Sequence, residues 1–172
     1  MRLKGVLFGL LTLLSTVASS HGLGAHVHGV ANLQVAVDGD TLTLVLESPL
    51  DNLLGFEHLP HTEKQKAAVR DMSSRLQKND AVFIPTPAAA CRLVSVKLES
   101  PVLSPEKKTD GDGHADLDGE FVFHCQHPEV LHGLDLMLFD GFPHLRQVDV
   151  QVATAKGQTA AKLSSARRRL DW

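Results

Sequence analysis

Two stretches alternate apolar and other residues with period two, Asn32–Val37 and Thr41–Glu47. Such alternation turns one face of a strand to the core and the other to water. Between them lies Val37-Asp38-Gly39-Asp40, whose Asp-Gly predicts a tight hairpin with the positive-φ positions on that dipeptide. Ser48-Pro49 is expected to end the second strand, because proline cannot continue a central ladder. The period then changes. Thr62, with Gln65 three residues on, forms a capping box, and Val69, Met72 and Leu76 fall on one helical face. An amphipathic helix is therefore predicted from Thr62, ending at Asn79 and packing on a sheet.

Further strands are predicted at Ala81–Ile84, Arg92–Glu99, Gly119–Cys125, Leu134–Phe139 and Gln147–Thr154, with another at Thr159–Leu163. Ser104–Asp118, rich in charge and glycine, reads as a loop between two of them. The fold class that follows is α+β, a single domain with a mainly antiparallel sheet and one amphipathic helix. Gly55-Phe56-Glu57-His58 has an echo in Gly141-Phe142-Pro143-His144, and each segment follows a proline.

The N-terminus bears on the compartment. Arg2 and Lys4 precede a mainly apolar run, Gly5–Val17, which closes on Ala18-Ser19-Ser20. This is the layout of a secretory signal, expected to be cut after Ser20, and its apolar core is too short to span a bilayer. The predicted organisation is a signal peptide over 1–20 and a metal-binding domain over 21–172. Removing the signal takes away two of the 17 basic residues and none of the 20 acidic ones, leaving a net charge of −5. That sign argues against a nucleic-acid binder. Arg167-Arg168-Arg169, the one dense basic run, reads as the solvated face of a C-terminal helical turn. No later segment is long and apolar enough for membrane insertion after cleavage. An even pair of cysteines, Cys91 and Cys125, fits a structural disulfide in an oxidising compartment, and a pair of metal-binding thiolates is the competing reading.

Ten histidines accompany no tyrosine and one tryptophan. A neutral imidazole is the commonest protein metal ligand, so the balance points to metal. His26 and His28 straddle one residue, which in an extended segment puts both rings on one face. His58 and His61 flank Leu59-Pro60, and Glu57 beside them offers a carboxylate to bind metal or orient a ring. His114 comes with Asp116, and His124 is expected to face away from its neighbour Cys125. His26, His28, His58, His61, His114 and His124 are the candidate ligands, whereas His127, His132 and His144 read as surface or structural. Zinc takes three or four such ligands, and copper(II) also suits imidazole. Methionine is too scarce for a Met-rich copper(I) site.

Enzyme signatures such as HExxH, GxSxG, a P-loop or GxGxxG are missing, and Asp110-Gly111-Asp112 does not extend to an EF-hand because its twelfth position is Phe121. Catalysis is therefore not expected. The alternatives to a metal-binding module are a non-metal envelope interaction module and, behind it, a metal-dependent hydrolase.

His26-x-His28-Gly29-Val30-Ala31, Asp38-Gly39, Leu46-Glu47-Ser48-Pro49 and Gly55-Phe56-Glu57-His58 resemble the opening of the ZrgA-like periplasmic zinc-uptake proteins of Gram-negative bacteria. The resemblance continues through Cys91, Phe121-x-Phe123-His124-Cys125, Phe139-Asp140-Gly141-Phe142-Pro143 and Gly157-Gln158. It implies a soluble periplasmic zinc binder that works beside an ABC-type zinc importer, with Cys91 and Cys125 disulfide-bonded. Such proteins carry a long His/Asp/Glu-rich tract between the two cysteines. Here the tract is reduced to Ser104–Asp118 with one histidine, His114, which leaves metal binding to the histidines of the folded domain.

Overall fold

The computed structural model describes residues 27–78, 82–104 and 115–172. Its strands are β1 (Val30–Asp38), β2 (Thr41–Pro49), β3 (Phe83–Pro85), β4 (Cys91–Glu99), β5 (Asp116–Cys125), β6 (Gly133–Leu136), β7 (Gln147–Thr154), β8 (Gly157–Ser164) and β9 (Arg169–Asp171). Three helices, α1 (Leu50–Leu54), α2 (Glu63–Leu76) and α3 (Leu138–Gly141), punctuate them. Six strands form one sheet in the order β4-β5-β2-β1-β7-β8, and β3-β6-β9 form a second. Among the described residues only the β1–β7 pairing is parallel. The single α+β domain predicted from the patterning is the fold found.

The period-two alternation explains the large sheet. Leu33, Val35, Leu42, Leu44, Leu46, Phe121, Phe123, Val148, Val150 and Val152 all point inward and are buried. They form one apolar cluster with Val69, Met72 and Leu76 of α2 and with Phe83 and Leu134 of the small sheet. Phe83 meets Phe121 edge-on at 4.8 Å between ring centroids, which joins the two sheets. The Thr62–Gln65 capping box is present at the start of α2.

Local details depart from the patterning. Positive φ in the β1–β2 turn falls on Gly39 alone, not on an Asp-Gly pair, so the loop is Gly39-Asp40. Pro49 ends its strand but still pairs in register with Asp116, and it leads directly into α1, which the sequence did not disclose. The helix α2 stops at Leu76, while Asn79 and Ala81 lie outside the described residues. Leu134–Phe139 divides into β6 and α3, because Leu136, Leu138 and Phe139 are all buried and a run buried all round shows no period. The basic run is not a helical turn, since Arg169 opens β9 and Arg167 forms an isolated β-bridge with Ser164. Arg168 pairs with Asp140, and Arg169 pairs with both Asp135 and Asp171 at 2.8 Å, which fastens β9 to β6 and α3. The predicted signal peptide lies outside the described residues. Among the described residues no helix is long and apolar enough to cross a membrane.

Cys91 and Cys125 are disulfide-bonded and stand opposite each other in the β4–β5 register. They close the hairpin at the end remote from its connecting segment. At the other end Glu47, Asp118 and Glu99 stand abreast on three adjacent strands of the outer face. Loss of water first, and then the charges of Glu47, Asp116 and Glu99, push the Asp118 carboxyl above its ordinary range. A raised folded-state pKa means that ionisation opposes folding. The opposition is absent below about pH 3.8 and is fully present once pH exceeds the raised value. Asp118→Asn should therefore raise the urea midpoint at pH 7 and leave it nearly unchanged at pH 3. A loss of stability at pH 7 would show that the carboxylate is a net stabiliser of the row.

Candidate metal centre

The residues around His28 are held by a network that begins at Gly29. Its φ of +87° favours glycine, and a methyl group added there would stand 2.3 Å from Arg146 Nε. The Gly29 amide donates to Oδ1 of Asn52, a fully buried side chain on α1. Asn52 Nδ2 donates to the Val30 carbonyl at 2.9 Å and to Ser48 Oγ at 3.1 Å. From the other side, the amides of Arg146 and Gln147 donate to the Gly29 carbonyl at 2.8 and 2.9 Å. Arg146 Nη2 donates to the His28 carbonyl at 2.9 Å. The start of β1, the end of β2, α1 and the start of β7 thus meet on three consecutive residues, His28 to Val30.

This clamp sets the His28 ring against two carboxylates. Its Nε2 is 3.1 Å from Glu57 Oε1, and its Nδ1 is 3.7 Å from Asp51 Oδ2. Asp51 lies in the first turn of α1, and Glu57 follows the left-handed Gly55 that caps it. The His28 side chain is 54% exposed, whereas Asp51 is 28% and Glu57 only 12% exposed. One open imidazole therefore stands over a largely covered acid. His144, from the echo of the Gly-Phe-x-His motif, lays its ring against Gly55, 3.4 Å from where a side chain there would begin.

His58 and His61 are together, but as a stack. The His58 ring lies on Phe56 at 5.1 Å and on His61 at 5.2 Å between centroids, with the two imidazoles 20° from parallel. Nitrogen lone pairs lie in the ring plane, so two stacked rings do not aim at one point, and sharing an ion would require one of them to turn. His58 Nδ1 is 2.8 Å from the Leu59 carbonyl, an acceptor only. Nδ1 is therefore the donor, and in the neutral ring the lone pair falls on Nε2. His61 sits at the mouth of α2, where its amide donates to Gln65 Oε1 at 2.9 Å.

His124 is exposed on the outer face, opposite in direction to the buried Cys125 as its position predicts. Its Nδ1 is 3.4 Å from Asp40 Oδ2, and Arg92 stands across from it on β4, a cation where a metal would want an anion. His132 Nδ1 faces the Val130 carbonyl at 2.7 Å, and His127 pairs with Glu129 at 3.6 Å. His26 and His114 lie outside the described residues. Among the described residues, no three His, Cys, Asp or Glu side chains converge on one point. Around His28 the reason is plain, since the two carboxylates address opposite nitrogens of the ring.

Asp51 is the participant that sequence reasoning missed, because nothing in the pattern announced the short helix that carries it. Glu57 was legible as a carboxylate, but its partner is His28 rather than the adjacent histidines.

The model of one protein family, described as ZrgA family zinc uptake protein, matches residues 25–172. No curated protein matches the chain.

The clamp makes a stability prediction. Asn52→Ala leaves the buried Gly29 N–H and the part-buried Val30 carbonyl without their partner, at about 1–3 kcal/mol for each group. Denaturant unfolding should show a loss of about 2–5 kcal/mol. A loss below about 1 kcal/mol would mean that water replaces the amide and that the clamp does not hold the turn.

Proposed function

Because this chain belongs to the ZrgA family of zinc uptake proteins, we propose that it binds zinc in the periplasm through exposed imidazoles. It would then buffer the ion or deliver it to the components of an ABC-type zinc importer. The observation that carries the reading is His28, a half-exposed imidazole fixed by a rigid turn with a carboxylate facing each of its nitrogens. His58, with its Nε2 lone pair presented, and His61 are the next ligands in this reading. His124, beside Asp40, is a more isolated one. His26 and His114 complete the ligand set proposed from the sequence. The reading assigns the protein no reaction, and zinc is cargo rather than a resident cofactor. Export would follow from the signal over residues 1–20.

One observation favours a second reading, an envelope interaction module. The outer face of the large sheet carries a groove whose lining, which includes Gln34, Ala36, Thr43, Val45, Gln151 and Gln158, holds no ionisable group. A protein partner that works through this face would be indifferent to the histidines.

The deciding measurement is calorimetric titration of the purified, chelator-stripped chain with zinc, beside a His28→Ala/His58→Ala double variant. The chain should bind and the variant should bind far more weakly. Equal affinity in both would move the function away from these imidazoles. Because imidazole must be neutral to bind metal, affinity should fall steeply below about pH 6.5. Binding that holds constant from about pH 5 to 7.5 would exclude imidazole ligation. Protein recovered from the periplasm should begin at His21, and an N-terminus that retains residues 1–20 would remove the signal peptide.

A further inference from the structure

We infer that the zinc ion is held between His28 Nε2 and Glu57 Oε1, with Asp51 as the residue that positions the His28 ring. The inference rests on the zinc-binding reading above and names its oxygen ligand. Zinc bonds nitrogen at about 2.0–2.1 Å and oxygen at about 2.0–2.2 Å in a tetrahedral arrangement, so two ligand atoms sharing one ion stand about 3.3–3.5 Å apart. His28 Nε2 and Glu57 Oε1 are 3.1 Å apart, a few tenths of an ångström short of that separation. A small parting of the two side chains would admit the ion between them.

Three further features agree. A neutral imidazole that binds metal through Nε2 must carry its proton on Nδ1, and Nδ1 is the nitrogen that faces Asp51 at 3.7 Å. A carboxylate behind a metal-bound histidine fixes the tautomer and raises the basicity of the ring. The charges also balance, since Glu57 and Asp51 together offset the two positive charges of the ion. Finally, Glu57 is largely covered while His28 is half exposed, so the ion would rest on an inner oxygen and remain open to water on the outer side. The Arg146 guanidinium beside the site donates to the His28 carbonyl. By contrast, His58 and His61 are stacked and would have to unstack to share an ion.

A hydrogen bond between the His28 ring and Glu57 gives the same separation without metal, and zinc would displace it.

The test is zinc calorimetry on the full chain, with melting of each variant measured first in chelator. Glu57→Gln keeps the shape and removes the charged oxygen, and it should weaken zinc binding at least about 100-fold. Asp51→Ala should weaken it about 10- to 100-fold, the range for outer carboxylates on metal-bound histidines. In the zinc-loaded chain, 15N-edited spectra should show a protected Nδ1 proton on His28, which Asp51→Ala loses. Should Glu57→Gln fail to fold, Glu57→Asp retains the charge but withdraws the oxygen by one methylene, and it should also lose zinc. Wild-type affinity in Glu57→Gln or Glu57→Asp, with binding still lost in His28→Ala, would overturn the oxygen ligand and leave the zinc-binding reading intact. Wild-type affinity in His28→Ala would overturn this site altogether. An unchanged affinity and an unchanged Nδ1 resonance in Asp51→Ala would remove its positioning role.

Discussion

The amide of Asn52 sits where the start of β1, the junction of β2 with α1, and the start of β7 come together. It accepts from Gly29 and donates to Val30 and Ser48, so it satisfies backbone groups that would otherwise be buried without partners. A polar group in that position is constrained on both sides. An apolar replacement would strand the backbone, and a charged one would need a counter-ion where there is no room. Arg146 closes the same turn from β7, and Gly29 is small because the guanidinium occupies the space a side chain would need. The position of His28 is the by-product of this constraint. The imidazole is exposed, but the backbone beneath it cannot shift.

Much of the fold was readable from the alternation of side chains. The β1–β2 hairpin, β7 and the capped helix α2 each obey a single period over many residues, and burial follows that period position by position. The reading failed where a period could not be seen. Leu138 and Phe139 are buried all round, α1 is five residues long, and β9 is three residues held by arginine–carboxylate pairs. Basic side chains look solvated in a sequence, since their acidic partners are contributed by other elements.

The site was legible in composition and not in geometry. An excess of histidine announces metal, and spacing suggested that near neighbours would share an ion. Spacing along the chain describes the backbone, whereas chelation depends on the direction of ring lone pairs. His58 and His61 are three residues apart and stacked, while His28 and Glu57 are twenty-nine residues apart and in contact. The pairing that matters was created by the turn at Gly29 and the left-handed cap at Gly55, two glycines whose conformations no local pattern foretold.

The placement of the disulfide has a consequence for how such a protein can vary. Cys91 and Cys125 lock β4 to β5 at the end of the hairpin opposite the segment that connects the two strands. Register is thus fixed from the closed end, and the connecting segment is left as a place where chain can be added or removed. Each doubling of such a segment costs only about 0.6 kcal/mol in closure entropy. Chain can be added to or removed from this tip while the sheet beneath keeps its alignment.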